Sequence, residues 1–303
     1  MKAYDLIILG TGPAGLQAAI HAARAKVSVL VLGRQPRSSL YRAHIENYCC
    51  LAGITGEDLL LEGQRQAEKF GAAFLNEDVI EVSTREPSGF WIKTESGEEL
   101  AAGALILSMG ISRNKLNVPG EKELLGRGVS YCVDCDANFF RGLPVAVIGS
   151  GSAAASGALT LLFYASEVHL VPEKLDVSER LAEQIRASSI VLHEGGNVQA
   201  IAGQNEVEGL LLKDGHRLEV KGVFIELGAK GAIELATRLG VNLDAESFQY
   251  IVTDKKQATN IPGVYAAGDI TGPPWQMAKA VGEGCVAGLE AAAYVKKLRS
   301  AVR

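Results

Sequence analysis

The sequence predicts an α/β protein of two nucleotide-type domains, each a three-layer sandwich with a parallel sheet between helices. Three observations carry that prediction. The chain has 303 residues, and at roughly 150 residues per domain that length makes two. A strand, glycine turn, helix and strand open the chain and recur at residues 145–171. Glycine, at 34 residues, runs at about one in nine against a usual 7% or so, which fits turns and phosphate loops.

Residues 5–9 form an apolar run of strand length, Gly10 to Gly15 a turn, Leu16 to Ala25 an alanine-rich helix, and Val27 to Leu32 a second strand. Continuous rather than alternating hydrophobicity implies a parallel sheet covered on both faces. The copy at 145–171 repeats this with Val145 to Ile148, Gly149-Ser150-Gly151, a small-residue helix through Leu162, and Glu167 to Val171. Two such βαβ openings define two Rossmann-like domains. Between them, 58–71 reads as a helix, and 79–83, 90–95 and 104–109 as strands, with a Ser96-Gly97 turn in an antiparallel meander. Thr259 to Gly263 introduces a strand, Val264 to Ala267, and a terminal helix from Trp275 to Leu298. The polar segments at 112–118 and 240–248 are expected to be crossings between domains.

Charged residues at 21% and hydrophobic residues at 48% argue against disorder, collagen and coiled coil. A net charge of −5 gives no field for a polyphosphate backbone, so nucleic acid is not an expected partner. No apolar run approaches the roughly 18 residues of a membrane span, and Met1 to Asp5 enters a strand without a secretory pattern. The expectation is a cytoplasmic protein with no membrane partner. Five cysteines are too few for a disulfide scaffold, and their odd number fits a reducing compartment.

Gly10-Thr11-Gly12-Pro13-Ala14-Gly15 matches G-x-G-x-x-G between a strand and a helix. Glycine is needed for the tight turn, for close approach to a pyrophosphate and for helix–sheet packing. Where an acid often accepts ribose hydroxyls, this chain has Gly33-Arg34, which weakens a nicotinamide reading and leaves a flavin one open. Gly110 follows the strand at 104–109 as a further candidate. Tyr265 to Asp269 ends a strand at a helix start, where backbone N–H groups and Asp269 are placed to meet a ribityl chain; a plain helix cap is the alternative.

The second loop, Gly149-Ser150-Gly151-Ser152-Ala153-Ala154, fits G-x-G-x-x-A. Arginines for a 2′-phosphate are absent from the end of the next strand, where Pro172-Glu173-Lys174 stands. Glu173 repels such a phosphate, yet suits a free ribose hydroxyl of NADH or of an adenosine; a solvated loop acid is the alternative.

Cys132-Val133-Asp134-Cys135-Asp136 is the most informative string. C-x-x-C lets two sulfurs meet across one turn and cycle between dithiol and disulfide, with Asp136 beside them to move a proton or, alternatively, to cap a helix from Ala137. A zinc site lacks two further ligands at sensible spacing, so no metal is expected. Cys49-Cys50 reads as small buried packing, and the five histidines as surface or core residues.

Together these strings resemble the low-molecular-weight thioredoxin reductase family of flavoproteins. Further matches are Glu46-Asn47-Tyr48, Gly56-Glu57-Asp58-Leu59, Gly126 to Tyr131 before the cysteine pair, Gln276-Met277-Ala278 and Gly282-Glu283-Gly284. The resemblance covers nearly the whole chain. It implies an FAD domain made from residues 1–115 and 243–303, an inserted nucleotide-type domain at 116–242, and a homodimer. It also implies that Cys135 faces the flavin, Cys132 exchanges with a thioredoxin-like protein, Asp136 is the acid/base, and Asn47 and Gln276 to Ala278 lie along the flavin.

The departures concern one function. The 2′-phosphate arginines are gone, the usual Gly-x-x-Pro-Asn-Thr stretch is Gly228 to Ile233, no Gly-Gly-Gln stands around Arg37 to Leu40, and Cys49-Cys50 replaces a Pro-Gly. The pattern is similar to the pyridine-nucleotide-independent branches, which take electrons from ferredoxin or hold a second FAD. A ferredoxin-like donor is therefore expected rather than NADPH, with Lys296, Lys297, Arg299 and Arg303 as a candidate basic patch. An NADH-dependent reductase, a two-flavin oxidoreductase and a flavin redox-sensing module are the alternatives.

Overall fold

The computed structural model describes residues 1–51, 53–86, 88–111, 115–227, 232–246 and 248–302, without the side chains of residues 134, 135, 301 and 302. The chain divides into two compact units, one of Met1–Thr94, Glu98–Ser112 and Gly231–Arg303, the other of Glu95–Gly97 and Arg113–Lys230. The first unit is drawn from both ends of the chain, and residues 232–242 group with it. Residues 232–238 form a helix that buries Ala232, Leu235 and Ala236 against the first unit's sheet, and Val241 follows them into the same core.

The first unit holds a seven-stranded sheet: six strands in the order Ala73–Leu75, Val29–Leu32, Lys2–Leu9, Glu99–Leu107, Phe90–Thr94 and Val79–Thr84, and a seventh, Val264–Ala266, paired with Glu99–Leu107 off that path. Glu99–Leu107 is longer than the expected strand at 104–109 because its two halves have different partners. Residues 99–102 pair antiparallel with Phe90–Thr94, and 105–107 pair parallel with Val264–Ala266. On either side of Lys2–Leu9 the neighbours run parallel to it, so strand order reverses there and a ligand crevice is expected at its carboxyl end.

The continuous apolar runs are explained by burial on both faces. Leu6 and Ile8 pack with the first helix, Pro13–Arg24, and the terminal helix, Met277–Val302, whereas Ile7 and Leu9 pack with the helix at 232–238. Small residues let the two long helices approach: a Cβ on Gly284 would lie 2.2 Å from the Ala14 carbonyl oxygen, and one on Gly288 2.4 Å from that of Ala18. The helix Gly56–Lys69 starts at Thr55, whose hydroxyl oxygen accepts the Asp58 amide at 3.1 Å. Glu57 and Asp58 suit the positive end of its dipole.

In the second unit, five parallel strands lie in the order Val191–Leu192, Glu167–Val171, Pro144–Ile148, Gly222–Ile225 and Val129–Ser130. Val145 and Val147 face the helices Ser152–Leu161 and Glu179–Arg186, while Ala146 and Ile148 face a three-stranded antiparallel sheet, 198–218. Among the described residues, no helix is long and apolar enough to cross a membrane.

Candidate active site

The first glycine loop is built by close contact. Gly10 holds φ +120°, and a Cβ there would lie 2.4 Å from the Ser108 carbonyl oxygen; one on Gly15 would lie 2.0 Å from that of Gly10. Gly12 caps the first helix without a side-chain bond and Pro13 takes its first position. The amides of that turn have no partner inside the helix and carry the positive end of its dipole, so the loop suits a pyrophosphate. Beside it, Gly33 holds φ +139° next to Thr11, and a cavity of about 460 Å³ opens over Thr11, Gly33, Gln35, Gln64, Glu68 and Asn76. Pro36, Ala72, Phe74 and Leu75 complete the lining, and this mix of apolar and polar groups suits an aromatic base with its ribose. Arg34 precedes the short turn Gln35–Arg37, where Arg37 pairs with the buried Asp78.

The chain's far end completes this region. Gly268, at φ +91°, is tight enough on the first helix that a Cβ would lie 3.1 Å from that of Ala14. Asp269 opens the single turn Asp269–Thr271. Burial pushes its carboxyl above the ordinary range, Lys279 opposes that rise and Glu283 adds to it. Glu283 accepts the Gly268 amide and the Thr271 hydroxyl, each at 2.8 Å, and Lys279 Nζ donates to the carbonyls of Gly268 and Gly272 at 2.9 and 2.7 Å. Sequence reasoning assigned these two residues no role, although their i, i+4 spacing at a helix start was a usable signal. Asn47 Nδ2 donates to Gln276 Oε1 at 3.0 Å, which joins two expected flavin neighbours; Met277 and Ala278 begin the terminal helix. Gly110, at φ +69° with open space around it, follows Ser108 past the strand end.

The redox turn is held from two sides. Cys132 is disulfide-bonded, and the backbone of Cys135 completes the helical turn Val133–Asp136, while its side chain lies outside the described residues. Ser130 Oγ donates to Asp136 Oδ2 at 2.6 Å and accepts the Cys132 amide at 3.0 Å. Asp136 makes no side-chain cap to the turn Ala137–Phe140, so its carboxylate stays on the redox side. Glu226, only 7% exposed, accepts the Val133 amide at 3.1 Å. Glu121, 2% exposed, accepts the Tyr131 hydroxyl at 2.7 Å and the Leu116 and Asn117 amides. Burial pushes the Glu121 carboxyl up, and these donors outweigh it to hold the group below the ordinary range. Ser130, though inside a matched string, was given no role, and Glu226 and Glu121 went unnoticed, because lone polar residues carry no pattern.

The second glycine loop keeps its shape. Gly149 holds φ +149° with the Glu226 carbonyl oxygen 2.1 Å from where a Cβ would be, Gly151 caps its helix without a side-chain bond, and Ser152 and Ala153 are buried. The Glu173 amide donates to Ser150 Oγ at 3.1 Å, so Pro172-Glu173-Lys174 sits over the loop. Gly195 N donates to the carbonyls of Pro172 and Glu173, which brings His193 alongside, and His193 Nε2 lies 3.1 Å from His169 Nδ1. Burial pushes both imidazoles below their ordinary value. At the strand's carboxyl end Glu173 and Lys174 are both exposed, one acid and one base where the 2′-phosphate arginines are expected.

Some expectations fail. Cys49 and Cys50 are free and exposed, not buried, because they occupy the tip of a tight turn closed by Tyr48 and Leu51. Arg299 of the expected basic patch pairs with Asp5; Lys296 and Lys297 are exposed. Arg303 and Gly228 to Gly231 lie outside the described residues, and among those described no metal-binding cluster of three or more His, Cys, Asp or Glu occurs.

Two Rossmann-like units, a pyrophosphate cradle and a disulfide turn backed by an acid define a flavin-dependent disulfide oxidoreductase. The pyridine nucleotide-disulphide oxidoreductase family matches residues 4–284, and the chain belongs to it. Its relatives are thioredoxin reductases. That of Listeria innocua is 34% identical, covering 99% of this chain and 97% of its own. A bifunctional thioredoxin reductase/thioredoxin of Mycobacterium leprae is 37% identical over 95% of this chain, which spans 65% of that longer protein. Among solved structures, the atypical thioredoxin reductase TRi of Desulfovibrio vulgaris Hildenborough is 37% identical, with TM-score 0.83 over 97% of this chain and 98% of its own. A ferredoxin-flavin thioredoxin reductase of Clostridium acetobutylicum is 34% identical, with TM-score 0.68 over 99% of each chain.

Proposed function

We propose that this enzyme is a homodimeric reductase of thioredoxin-like disulfides that receives its electrons from a ferredoxin-like protein rather than from NADPH. The observation that carries the choice of donor is the end of the strand Glu167–Val171. Pro172-Glu173-Lys174 stands there, with Glu173 tied to the second glycine loop through Ser150, so an acid and a single lysine occupy the place where a 2′-phosphate needs a cluster of arginines. The similarity to the ferredoxin-flavin enzyme supports the same donor.

Bound FAD would supply the electron pair that opens the disulfide, held by Gly10 to Gly15, Gly33, Gly110, Gly268 and Asp269. The residues of the redox turn do the rest. The Cys132 thiolate attacks one sulfur of the partner's disulfide, releasing the other as a thiolate, and Cys135 displaces the partner from the mixed disulfide. Two electrons pass to the partner and the Cys132–Cys135 bond re-forms. Asp136, fixed by the Ser130 hydroxyl, follows Cys135 directly in the chain and handles the proton that leaves or arrives with sulfur.

The test mixes the yellow protein anaerobically with NADPH, NADH or photoreduced ferredoxin and follows flavin bleaching and thioredoxin thiol formation. Bleaching and thiols with ferredoxin alone are expected; rapid bleaching by NADPH sinks the donor assignment. A flavin-to-protein ratio near two would move the reading to the two-flavin oxidoreductase. Cys132→Ser and Cys135→Ser should each abolish thiol formation while flavin stays bound, and activity persisting in both refutes the redox pair.

A further inference from the structure

The proposed chemistry assigns no step to the adjacent cysteines Cys49 and Cys50, and their geometry carries its own. Between His44–Ile45 and Ile54–Thr55 the chain reverses in a tight turn, where the Leu51 amide donates to the Tyr48 carbonyl at 3.1 Å. Cys49 and Cys50 are its two central residues, and Cys50 holds φ +68°, the positive value that some such turns require at the third position. Both thiols are free and exposed, with Sγ to Sγ 3.4 Å.

We propose that Cys49 and Cys50 form a chelating dithiol site for a trivalent, thiophilic metalloid centre of the organoarsenical class. Adjacent Cα atoms are about 3.8 Å apart, short of the roughly 4.4 Å at which unstrained disulfides begin, so the pair favours the dithiol over a direct S–S bond. With a metal–sulfur bond of about 2.3 Å, the 3.4 Å separation closes an S–M–S angle of roughly 95°. A linear centre needs sulfurs nearly twice a bond length apart. A tetrahedral ion needs a wider bite and two further ligands, and among the described residues no group of three or more His, Cys, Asp or Glu supplies them. A pyramidal trivalent centre fits the narrow angle and brings its third substituent with it.

The reaction is a condensation. Two S–H bonds break and two As–S bonds form, and the oxygen of an arsenoso group leaves with both protons as water, so no electrons are transferred. The ring closes through the Cys49–Cys50 peptide. Two thiols on one turn hold the centre more tightly than either alone, because the second bond forms within the molecule.

The flavin-loaded protein, kept free of reductant so that Cys132 stays in its disulfide, is titrated with phenylarsine oxide while intact mass and free thiols are measured. One adduct per chain is expected, with free thiols falling from the three of Cys49, Cys50 and Cys285 to one. Cys49→Ser and Cys50→Ser should each weaken binding at least about 100-fold, and Cys285→Ser should leave it unchanged; the flavin spectrum reports folding in each variant. An adduct absent from the parent, surviving in both serine variants or lost with Cys285→Ser overturns the assignment. None of these outcomes depends on which donor reduces the flavin.

Discussion

Replacing Gly284 with alanine adds one methyl group where the terminal helix crosses the first. That Cβ would lie 2.2 Å from the Ala14 carbonyl oxygen and 2.9 Å from Ala14 Cα, whereas ordinary van der Waals contact begins near 3.4 Å. The obstacle is backbone, so the helices must part by more than an ångström. Overpacking of this kind costs about 1–3 kcal/mol, and at about 2–4 °C per kcal/mol for a unit of this size the first unit's midpoint should fall by roughly 2–12 °C. Gly282, two residues earlier, is the control. A Cβ there meets nothing within 4 Å, and alanine in a helix is worth about 0.5–1 kcal/mol over glycine, so Gly282→Ala should raise the midpoint slightly. Calorimetry on both variants reads the difference, and flavin titration should show weaker retention only in Gly284→Ala, since Ala14 belongs to the phosphate loop. Equal midpoints for the two variants would refute the close-approach argument.

Glu121 and Asp269 give opposite pH signatures. The Glu121 carboxyl is depressed in the folded protein, so its contribution is present above its unfolded pKa of about 4.5 and is lost as pH falls through the folded value. Glu121→Gln should cost about 1–3 kcal/mol near neutrality and progressively less on acidification in urea unfolding of the second unit; a gap independent of pH counts against the assignment. The Asp269 carboxyl is raised, so its ionisation opposes folding as pH climbs through the ordinary value of 3.8 to the folded one. Asp269→Asn should therefore leave the flavin-free protein at least as stable at neutral pH. It should also weaken FAD binding about 10- to 100-fold, the scale of a hydrogen bond to a charged group. Unchanged affinity by fluorescence titration removes Asp269 from the flavin site.

Both βαβ units were legible because their strands are covered on two faces and so read as unbroken apolar runs, with glycines marking the turns. The C-x-x-C string was legible because two thiols at that spacing have few other uses. What escaped detection depends on partners distant in sequence. The helix at 232–238 carried no reading of its own in the sequence, and only its burial of Leu235 and Ala236 against the first sheet reveals it. For Asp136 the sequence favoured proton transfer but left a helix cap open, and the Ser130 hydroxyl placed against it is what the local string does not show. Glu226 lies 93 residues from the amide that it holds, and no local pattern announces such a bond.

Glu226 serves two neighbours at once: its carboxylate anchors the redox turn at Val133, and its carbonyl leaves Gly149 no room for a side chain. Mutation at Gly149 would therefore be penalised by steric damage next to the cysteines, whether or not any nucleotide ever docks. The fingerprint is kept in place by its surroundings, and its presence alone is uninformative about which nucleotide, if any, docks there. In enzymes of this architecture, the diagnostic letters are the ones with elbow room, at the tip of the following strand, where a change of cofactor leaves the scaffold intact.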